Sequence, residues 1–150
     1  MNNMADDITI DQWINGKLTK KELGYYIEGE DECVLYYYER KGIKKGVELL
    51  CKEYEFESVL ELGFGLGWTA TEFQEQGIKR HVIIEPNKGI YETALEWNKN
   101  HNAEILLMFS WEYEPKEKFD LVYDDIFFEL GFVMLEYQEL SSPSLFIKYL

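Results

Sequence analysis

Cysteine is scarce in this sequence, and long apolar runs are absent from it. The 150 residues include two cysteines, Cys33 and Cys51, and a chain of this length does not need a disulfide to fold. No apolar run reaches the roughly 18 residues of a membrane-spanning helix. Residues 1–7 are acidic and polar, unlike a secretory signal. We therefore predict a cytoplasmic protein in a reducing compartment, with no membrane partner.

Basic residues are also scarce, with 15 Lys and Arg against 29 Asp and Glu and a net charge of −14. Nucleic acid is thereby disfavoured as a partner, because its phosphates require clustered Lys and Arg. The acidic excess has two interpretations, solubility alone or a site that attracts a cationic small molecule. A metal site is not predicted, because the two histidines, His81 and His101, lack the spacing of metal ligands.

The most informative stretch joins a short apolar run to three alternate glycines. Residues 59–62 predict a buried strand, and residues 69–76 are compatible with a helix. Between them stand Gly63, Gly65 and Gly67. A strand, a glycine turn and a helix in this order begin a nucleotide-binding βαβ unit. Glycine is required there because the backbone turns tightly and approaches a ligand closely.

An acidic residue, Glu85, ends a second predicted strand at residues 80–85. It follows Gly63 by about 20 positions, where one carboxylate accepts hydrogen bonds from both hydroxyls of a cofactor ribose. The alternative for Glu85 is a solvated acid at a strand end. A dinucleotide, and with it an NAD-dependent oxidoreductase, is disfavoured because Trp68 stands where its fingerprint needs glycine. Glu61, at the end of the first strand, would also repel a phosphate but suits a cationic amino-acid ligand.

Two further strands place polar side chains at the same predicted edge of the sheet. A third strand, predicted at residues 103–109, is followed by Trp111 and Glu112, which are placed to meet an adenine. Alternatively, they are an interfacial Trp beside a surface acid. A fourth strand, at residues 119–125, ends in Asp124 and Asp125. Either aspartate suits a chemical role, and either suits the N-cap of a following helix.

The whole pattern predicts one compact α/β domain. Residues 55–150 are expected to form a Rossmann-like, doubly wound parallel sheet. Residues 1–54 are expected to form a helical segment in front of it. Within that segment, residues 33–54 carry a helical pattern that is interrupted near Gly42 and Gly46.

The alternate glycines after an acid-ended strand resemble the cofactor motif of class I methyltransferases, which bind S-adenosylmethionine. A closer resemblance is to guanidinoacetate N-methyltransferase and its relatives, the arginine δ-N-methyltransferases. It lies in residues 81–90 (HVIIEPNKGI), 110–112 (SWE) and 119–124 (FDLVYD), within a similar region of roughly residues 55–130. By this resemblance, residues 1–54 act as a lid or cap over the substrate.

The resemblance also implies site residues. The cofactor would be held by Glu61, Gly63, Phe64, Gly65, Gly67, Glu85, Trp111 and Glu112. Asp124 would be the catalytic carboxylate, which holds the guanidino group and accepts a proton from it. Asp125 and Glu39 would be further substrate contacts, and Tyr38-Glu39 stands in place of a Trp-Glu pair of the family.

This sequence departs from the family at its C-terminal side. The full family fold adds strands six and seven, whereas residues 127–140 predict a helix, 141–144 a turn and 145–150 a fifth strand. We therefore predict about five strands in the order 3-2-1-4-5, lacking strands six and seven. An open edge at Leu145–Leu150 is normally covered, here by a second copy in a homodimer, a partner chain or the N-terminal segment. Otherwise the 150 residues are a piece of a longer protein.

The resemblance finally implies a function. The first hypothesis is an S-adenosylmethionine-dependent N-methyltransferase acting on a guanidino or amine compound. The second is a non-catalytic S-adenosylmethionine-binding or methyltransferase-like subunit that works with a partner chain.

Overall fold

A computed structural model describes residues 10–29, 33–125 and 141–148 of the chain. Its helices and strands follow one another as α1 (Ile10–Asn15), β1 (Leu18–Lys20), β2 (Gly24–Ile27), β3 (Cys33–Tyr36), α2 (Glu39–Glu53), β4 (Ser58–Leu62), α3 (Trp68–Glu75), β5 (Arg80–Ile84), α4 (Lys88–Trp97), β6 (Glu104–Leu106), β7 (Phe119–Asp124) and β8 (Ser141–Lys148). Short 3-10 turns lie at Asn98–Asn100 and Ser110–Glu112. In this part of the chain, no helix is both long and apolar enough to span a membrane.

A parallel sheet of five strands forms the core of the fold, in the order β6-β5-β4-β7-β8. Numbered along the chain, this is the predicted order 3-2-1-4-5, and the predicted α/β class is confirmed. The strands β4, β5 and β7 are almost entirely buried, as expected for parallel strands that are covered on both faces. Helices α2 and α3 cover one face, where Val47 and Phe73 pack on Val59, Leu121 and Tyr123.

The carboxyl ends of the central strands are level with one another. Leu62 is paired with Ile84 on one side and with Asp124 on the other, and Ile84 is paired with Leu106. The chain leaves β4 at this edge, and the backbone there is tied down because Asp125 N donates to Leu62 O at 3.0 Å. Everything that follows these strands therefore meets at one edge of the sheet, as the positions of the predicted site residues require.

The prediction of a helical segment at residues 1–54 is wrong for residues 18–36. Strands β1, β2 and β3 form an antiparallel sheet instead. The segment is rich in tyrosine, which favours strands, and a tight turn closes β1 on β2 where Lys21 N donates to Gly24 O at 2.9 Å. The helical pattern read from residue 33 onward thus includes a strand, and the helix α2 begins at Glu39.

Two other boundaries differ from the predictions. Helix α2 continues through Gly42 and Gly46, because the burial of Ile43 and Val47 offsets a cost of about 1 kcal/mol for each glycine. The third strand of the sheet, predicted at residues 103–109, extends only from Glu104 to Leu106.

The fifth strand of the sheet begins earlier than predicted. Strand β8 starts at Ser141, where a turn was expected. Its register on β7 shifts between Phe119 and Leu121, an irregularity that accommodates Pro143, which has no N–H to donate. Among the described residues, β8 pairs with β7 alone, so its other edge has no strand beside it. The helix predicted at residues 127–140 lies outside the described residues.

Candidate functional site

The turn after β4 depends on left-handed backbone at each of its three glycines. The φ angles are 91° at Gly63, 57° at Gly65 and 74° at Gly67, and no residue other than glycine has a positive φ in the described ranges. Gly67 N donates to Phe64 O at 2.9 Å and Gly67 caps the N-terminus of α3. Since a side chain at any of these positions would be strained, the sequence reasoning identified the correct local requirement.

Phe64 anchors this turn in the core. Its ring is 4% exposed and packs edge-on against Trp97, with 5.3 Å between the ring centroids. Trp97 Nε1 also donates to Thr71 Oγ1 at 3.0 Å, and Thr71 Oγ1 donates to Gly67 O at 2.6 Å. The side chain of Phe64 was predicted to be part of the cofactor site, but the structure directs it inward. Only the backbone of Phe64 can therefore contribute to the predicted cofactor site.

Glu85 faces the glycine turn and holds it in place. Its carboxylate accepts from Phe64 N through Oε2 and from Asn87 N through Oε1, each at 2.9 Å. The residue is 1% exposed, and burial raises the pKa of Glu85 to about 7, although the N–H groups act in the opposite direction. Asn87 in turn caps α4 by accepting from Ile90 N at 2.9 Å.

A leucine of the N-terminal sheet lies directly over the turn. A Cβ built on Gly65 would approach Leu35 Cδ1 at 3.0 Å. Leu35 belongs to β3, so the N-terminal sheet contacts the same backbone that the sequence assigns to the cofactor. Because a leucine side chain is flexible, this contact can open without a change in the turn itself.

Four acidic side chains meet at the carboxyl ends of β4 and β7. Surrounding protein atoms and, to a smaller extent, the charges of Glu61, Glu39 and Asp124 together raise the pKa of Asp125 to about 7. Asp125 is exposed, so solvent weakens this repulsion, but the three acids are nonetheless its electrostatic neighbours. The structure thus brings Glu39, from the start of α2, to the predicted substrate carboxylates.

The members of this acidic group differ in their surroundings. Asp124 is 6% exposed at the end of β7, level with Leu62. Glu39 Oε2 accepts from Tyr36 N at 2.6 Å, which ties β3 to the start of α2. Several carboxylates at one edge of the sheet favour a cation that carries many N–H groups, and a guanidinium group is such a cation.

Glu61 has a partner, His81, that was not predicted from the sequence. Glu61 is fully buried, and its Oε2 lies 2.8 Å from His81 Nε2 on the neighbouring strand. Burial raises the pKa of Glu61, and His81 opposes the shift. Within the described residues, Glu61 Oε1 has no hydrogen-bond partner. Val59 is paired with His81, and Glu61 lies two residues after Val59, so the side chains of Glu61 and His81 are on the same face of the sheet. The alternation of side chains along two parallel strands was therefore the signal that could have predicted this pair.

Trp111 and Glu112 lie in a 3-10 turn beyond the carboxyl end of β6. Trp111 is 39% exposed and stacks on Phe109, with centroids 4.2 Å apart and planes inclined by 10°. Glu112 Oε2 accepts from Phe109 N at 2.8 Å, which closes the turn. In the described part of the chain their ring and polar contacts are therefore local, and their predicted contact with an adenine stays a prediction.

A family model described as guanidinoacetate N-methyltransferase matches residues 52–131, more than half of the chain. This range contains the glycine turn, Glu61, Glu85 and the two aspartates at the end of β7, Asp124 and Asp125. It also contains Trp111 and Glu112.

Solved structures with the same fold include the CcbJ methyltransferase from Streptomyces caelestis. It has 18% identity and a TM-score of 0.61, over 71% of this chain and 47% of that chain. The plantazolicin methyltransferase BpumL, solved with a triazolic analogue and S-adenosylhomocysteine, has 17% identity and a TM-score of 0.55, over 73% and 43%. The Trypanosoma brucei PRMT1 enzyme–prozyme heterotetramer with S-adenosylhomocysteine has 16% identity and a TM-score of 0.50, over 57% and 28%. The chain spans less than half the length of each of them.

Proposed function

Because the chain belongs to the guanidinoacetate N-methyltransferase family, we propose that it binds S-adenosylmethionine and N-methylates a guanidino or other amine compound. The single observation that supports this most is the glycine turn, which stands beside buried Glu61 and opposite Asp124 and Asp125. Two of the similar structures hold S-adenosylhomocysteine, which supports the choice of cofactor.

The residues at the turn fit such a cofactor. Three glycines in left-handed backbone leave its surface free of Cβ atoms, and the nearest obstacle at Gly65 is the flexible side chain of Leu35. Glu61 offers a carboxylate oxygen without a partner in the described residues, which suits a cationic amino-acid group. Glu85 would accept hydrogen bonds from the ribose hydroxyls. A carboxylate oxygen that already accepts from a backbone N–H at the turn would then accept from a hydroxyl as well.

The bound cofactor supplies an electrophilic methyl group on a sulfonium. The chain orients the substrate and accepts a proton from its nitrogen. Asp124 holds the guanidino or amino group of the substrate in hydrogen bonds, which restricts which nitrogen faces the methyl group. Glu39 and Asp125 are the acidic neighbours of Asp124, and the pKa of Asp125, raised to about 7, suits that carboxylate to accept a proton near neutral pH. A carboxylate among these then accepts the proton that the nitrogen loses.

A partner chain remains part of the proposal. Strand β8 has a neighbour on one side only among the described residues, and an uncovered parallel edge invites pairing. Sedimentation or light scattering over a range of concentrations tests for a homodimer. A single mass equal to one chain at every concentration would speak against it.

The function is tested by two measurements on the wild-type chain. Calorimetry should detect binding of S-adenosylmethionine and S-adenosylhomocysteine, and methyl transfer from labelled cofactor should be detected to one of guanidinoacetate, arginine or a small amine. If neither cofactor binds, the proposal is wrong. Binding without transfer to any acceptor would favour the non-catalytic subunit instead.

A matched pair of variants on β7 tests whether Asp124 is part of the catalytic site. Asp124→Asn should abolish most of the transfer and leave the cofactor affinity within about threefold. Asp120→Asn is the control, because Asp120 lies at the opposite end of the same strand and contacts Ser58. It should lower stability and preserve the turnover number. Equal turnover in the two variants would remove Asp124 from the site.

A further inference from the structure

We propose that His81 is a positioning residue that directs Glu61 Oε1 toward the ammonium group of a bound S-adenosyl amino acid. The inference rests on the proposed function, because it assigns a ligand group to the glycine-turn site. His81 lies in β5, and the sequence predicted no cofactor contact for it.

The carboxylate of Glu61 and the imidazole of His81 form a buried pair. Glu61 and His81 are 0% and 3% exposed, and Glu61 Oε2 lies 2.8 Å from His81 Nε2. A buried carboxylate that makes one short contact is fixed in rotation about its terminal bond. The direction in which Oε1 points is therefore determined by His81.

The contact with Gln74 determines the tautomer of the His81 imidazole. Gln74 Nε2 lies 3.0 Å from His81 Nδ1, and the orientation of this amide is set by Asn102. Asn102 N donates to Gln74 Oε1, and Asn102 O accepts from Gln74 Nε2, each at 3.2 Å. With an amide N–H directed at it, His81 Nδ1 must accept, so the single ring proton resides on Nε2 and is donated to Glu61.

The surroundings of Glu61 Oε1 indicate which hydrogen-bond donor would fit it. Glu61 Oε1 is buried and has no hydrogen-bond partner in the ranges that the structure describes. Glu85 and Asp125 have their pKa values raised in part by the charge of Glu61, so the surroundings are already negative. A cationic donor is therefore favoured. An ammonium group has three N–H donors, whereas a sulfonium has none, so the amino-acid end of the ligand is selected rather than the sulfur.

Three ligands test whether Glu61 contacts the ammonium group or the sulfonium. S-adenosylhomocysteine retains the ammonium but has a neutral sulfur, S-adenosylmethionine has both charges, and 5′-methylthioadenosine lacks the amino-acid part altogether. His81→Leu should weaken the first two ligands by about tenfold or more, because a hydrogen bond to a charged group loses its alignment. It should leave the affinity for 5′-methylthioadenosine within about twofold. Calorimetry or competitive binding measures all three.

Rescue distinguishes positioning from packing. The amide nitrogen of His81→Gln reaches the position of imidazole Nε2 and can donate to Glu61, so this variant should recover most of the lost affinity. A loss in His81→Leu that is equal for all three ligands would overturn the inference, as would the absence of rescue by Gln. The proposed function would then stand. If the wild type binds none of the three ligands, both are overturned.

A measurement on the wild-type chain covers the case in which His81→Leu does not fold. Long-range nitrogen–proton NMR of His81 should show the neutral tautomer with its proton on Nε2. S-adenosylhomocysteine should shift that Nε2 resonance, and 5′-methylthioadenosine should not. A proton on Nδ1, or equal shifts with both ligands, would contradict the proposed role.

Discussion

Replacement of Gly67 by alanine tests whether the glycine turn is needed for packing as well as for backbone freedom. Gly67 has a φ of 74°, and a Cβ there would lie 2.5 Å from Phe64 Cζ. The ring of Phe64 is buried and held by Trp97, so it cannot swing away cheaply. Gly77, at the other end of α3, has a φ of 83° and an open environment, since a Cβ there meets nothing within 4 Å.

The two variants share one cost and differ in another. Left-handed backbone costs an alanine about 1–2 kcal/mol at either position. Forcing a Cβ into a packed ring adds a cost of about 1–3 kcal/mol, which applies to Gly67→Ala alone. We therefore expect the free energy of unfolding to fall by about 1–2 kcal/mol in Gly77→Ala and by about 2–5 kcal/mol in Gly67→Ala.

Urea denaturation followed by circular dichroism measures both values, and the slope of each transition shows whether the unfolded state has changed. Cofactor affinity is a second readout. Gly67→Ala should also reduce the affinity for S-adenosylhomocysteine, because the turn must shift to admit the new methyl group, whereas Gly77→Ala should not. Equal losses of stability in the two variants would refute the claim that the Phe64 ring fills the space behind the turn.

Three further predictions concern the turn and its supports. The pKa of Glu85 is raised from 4.5 to about 7, so its contribution to stability is fully present below pH 4.5 and is lost as pH rises through about 7. The loss amounts to about 3 kcal/mol, and urea denaturation at pH 5 and pH 8 should show a smaller pH dependence in Glu85→Gln; an unchanged dependence would contradict this. Gly65→Ala should cost about 1–2 kcal/mol of stability, since Leu35 can move, but should weaken S-adenosylhomocysteine binding by more than tenfold in calorimetry; undiminished affinity would place the ligand elsewhere. Asp120→Asn should lower the melting temperature more at pH 7 than at pH 3, because hydrogen bonds from Glu57 N and from Ser58 outweigh burial and lower the pKa of Asp120, and the stabilisation is lost as pH falls through that lowered value; an equal change at both pH values would rule out the ionic contribution.

The central part of the fold was predictable because its signals are local. The strands β4, β5 and β7 are short apolar runs, and each ends at a glycine or an acid. Left-handed backbone at Gly63, Gly65 and Gly67 follows from the lack of a Cβ, and Asn87 caps α4 through its own side chain. Order among parallel strands then has few solutions, because crossovers are right-handed and neighbouring elements tend to pack together.

The N-terminal sheet was not predictable in the same way. Its strands are only three or four residues long, and they are stabilised by pairing with one another. A stretch such as Cys33–Tyr36 matches a short helix as well as a strand in its pattern of apolar residues, and only the pairing partner decides between them. The contact of Leu35 with Gly65 could be located only once that sheet was in place.

By itself, the sequence determined which residues reach the carboxyl edge of the sheet, since position along a strand and glycine content are properties of the local chain. Tertiary structure alone decided what each of those side chains does there. It buried Phe64, turned Glu85 onto backbone N–H groups and paired Glu61 with His81. Such assignments depend on burial and on partners about 20 or more residues away, and the free energies of burial and pairing arise only when the strands are assembled.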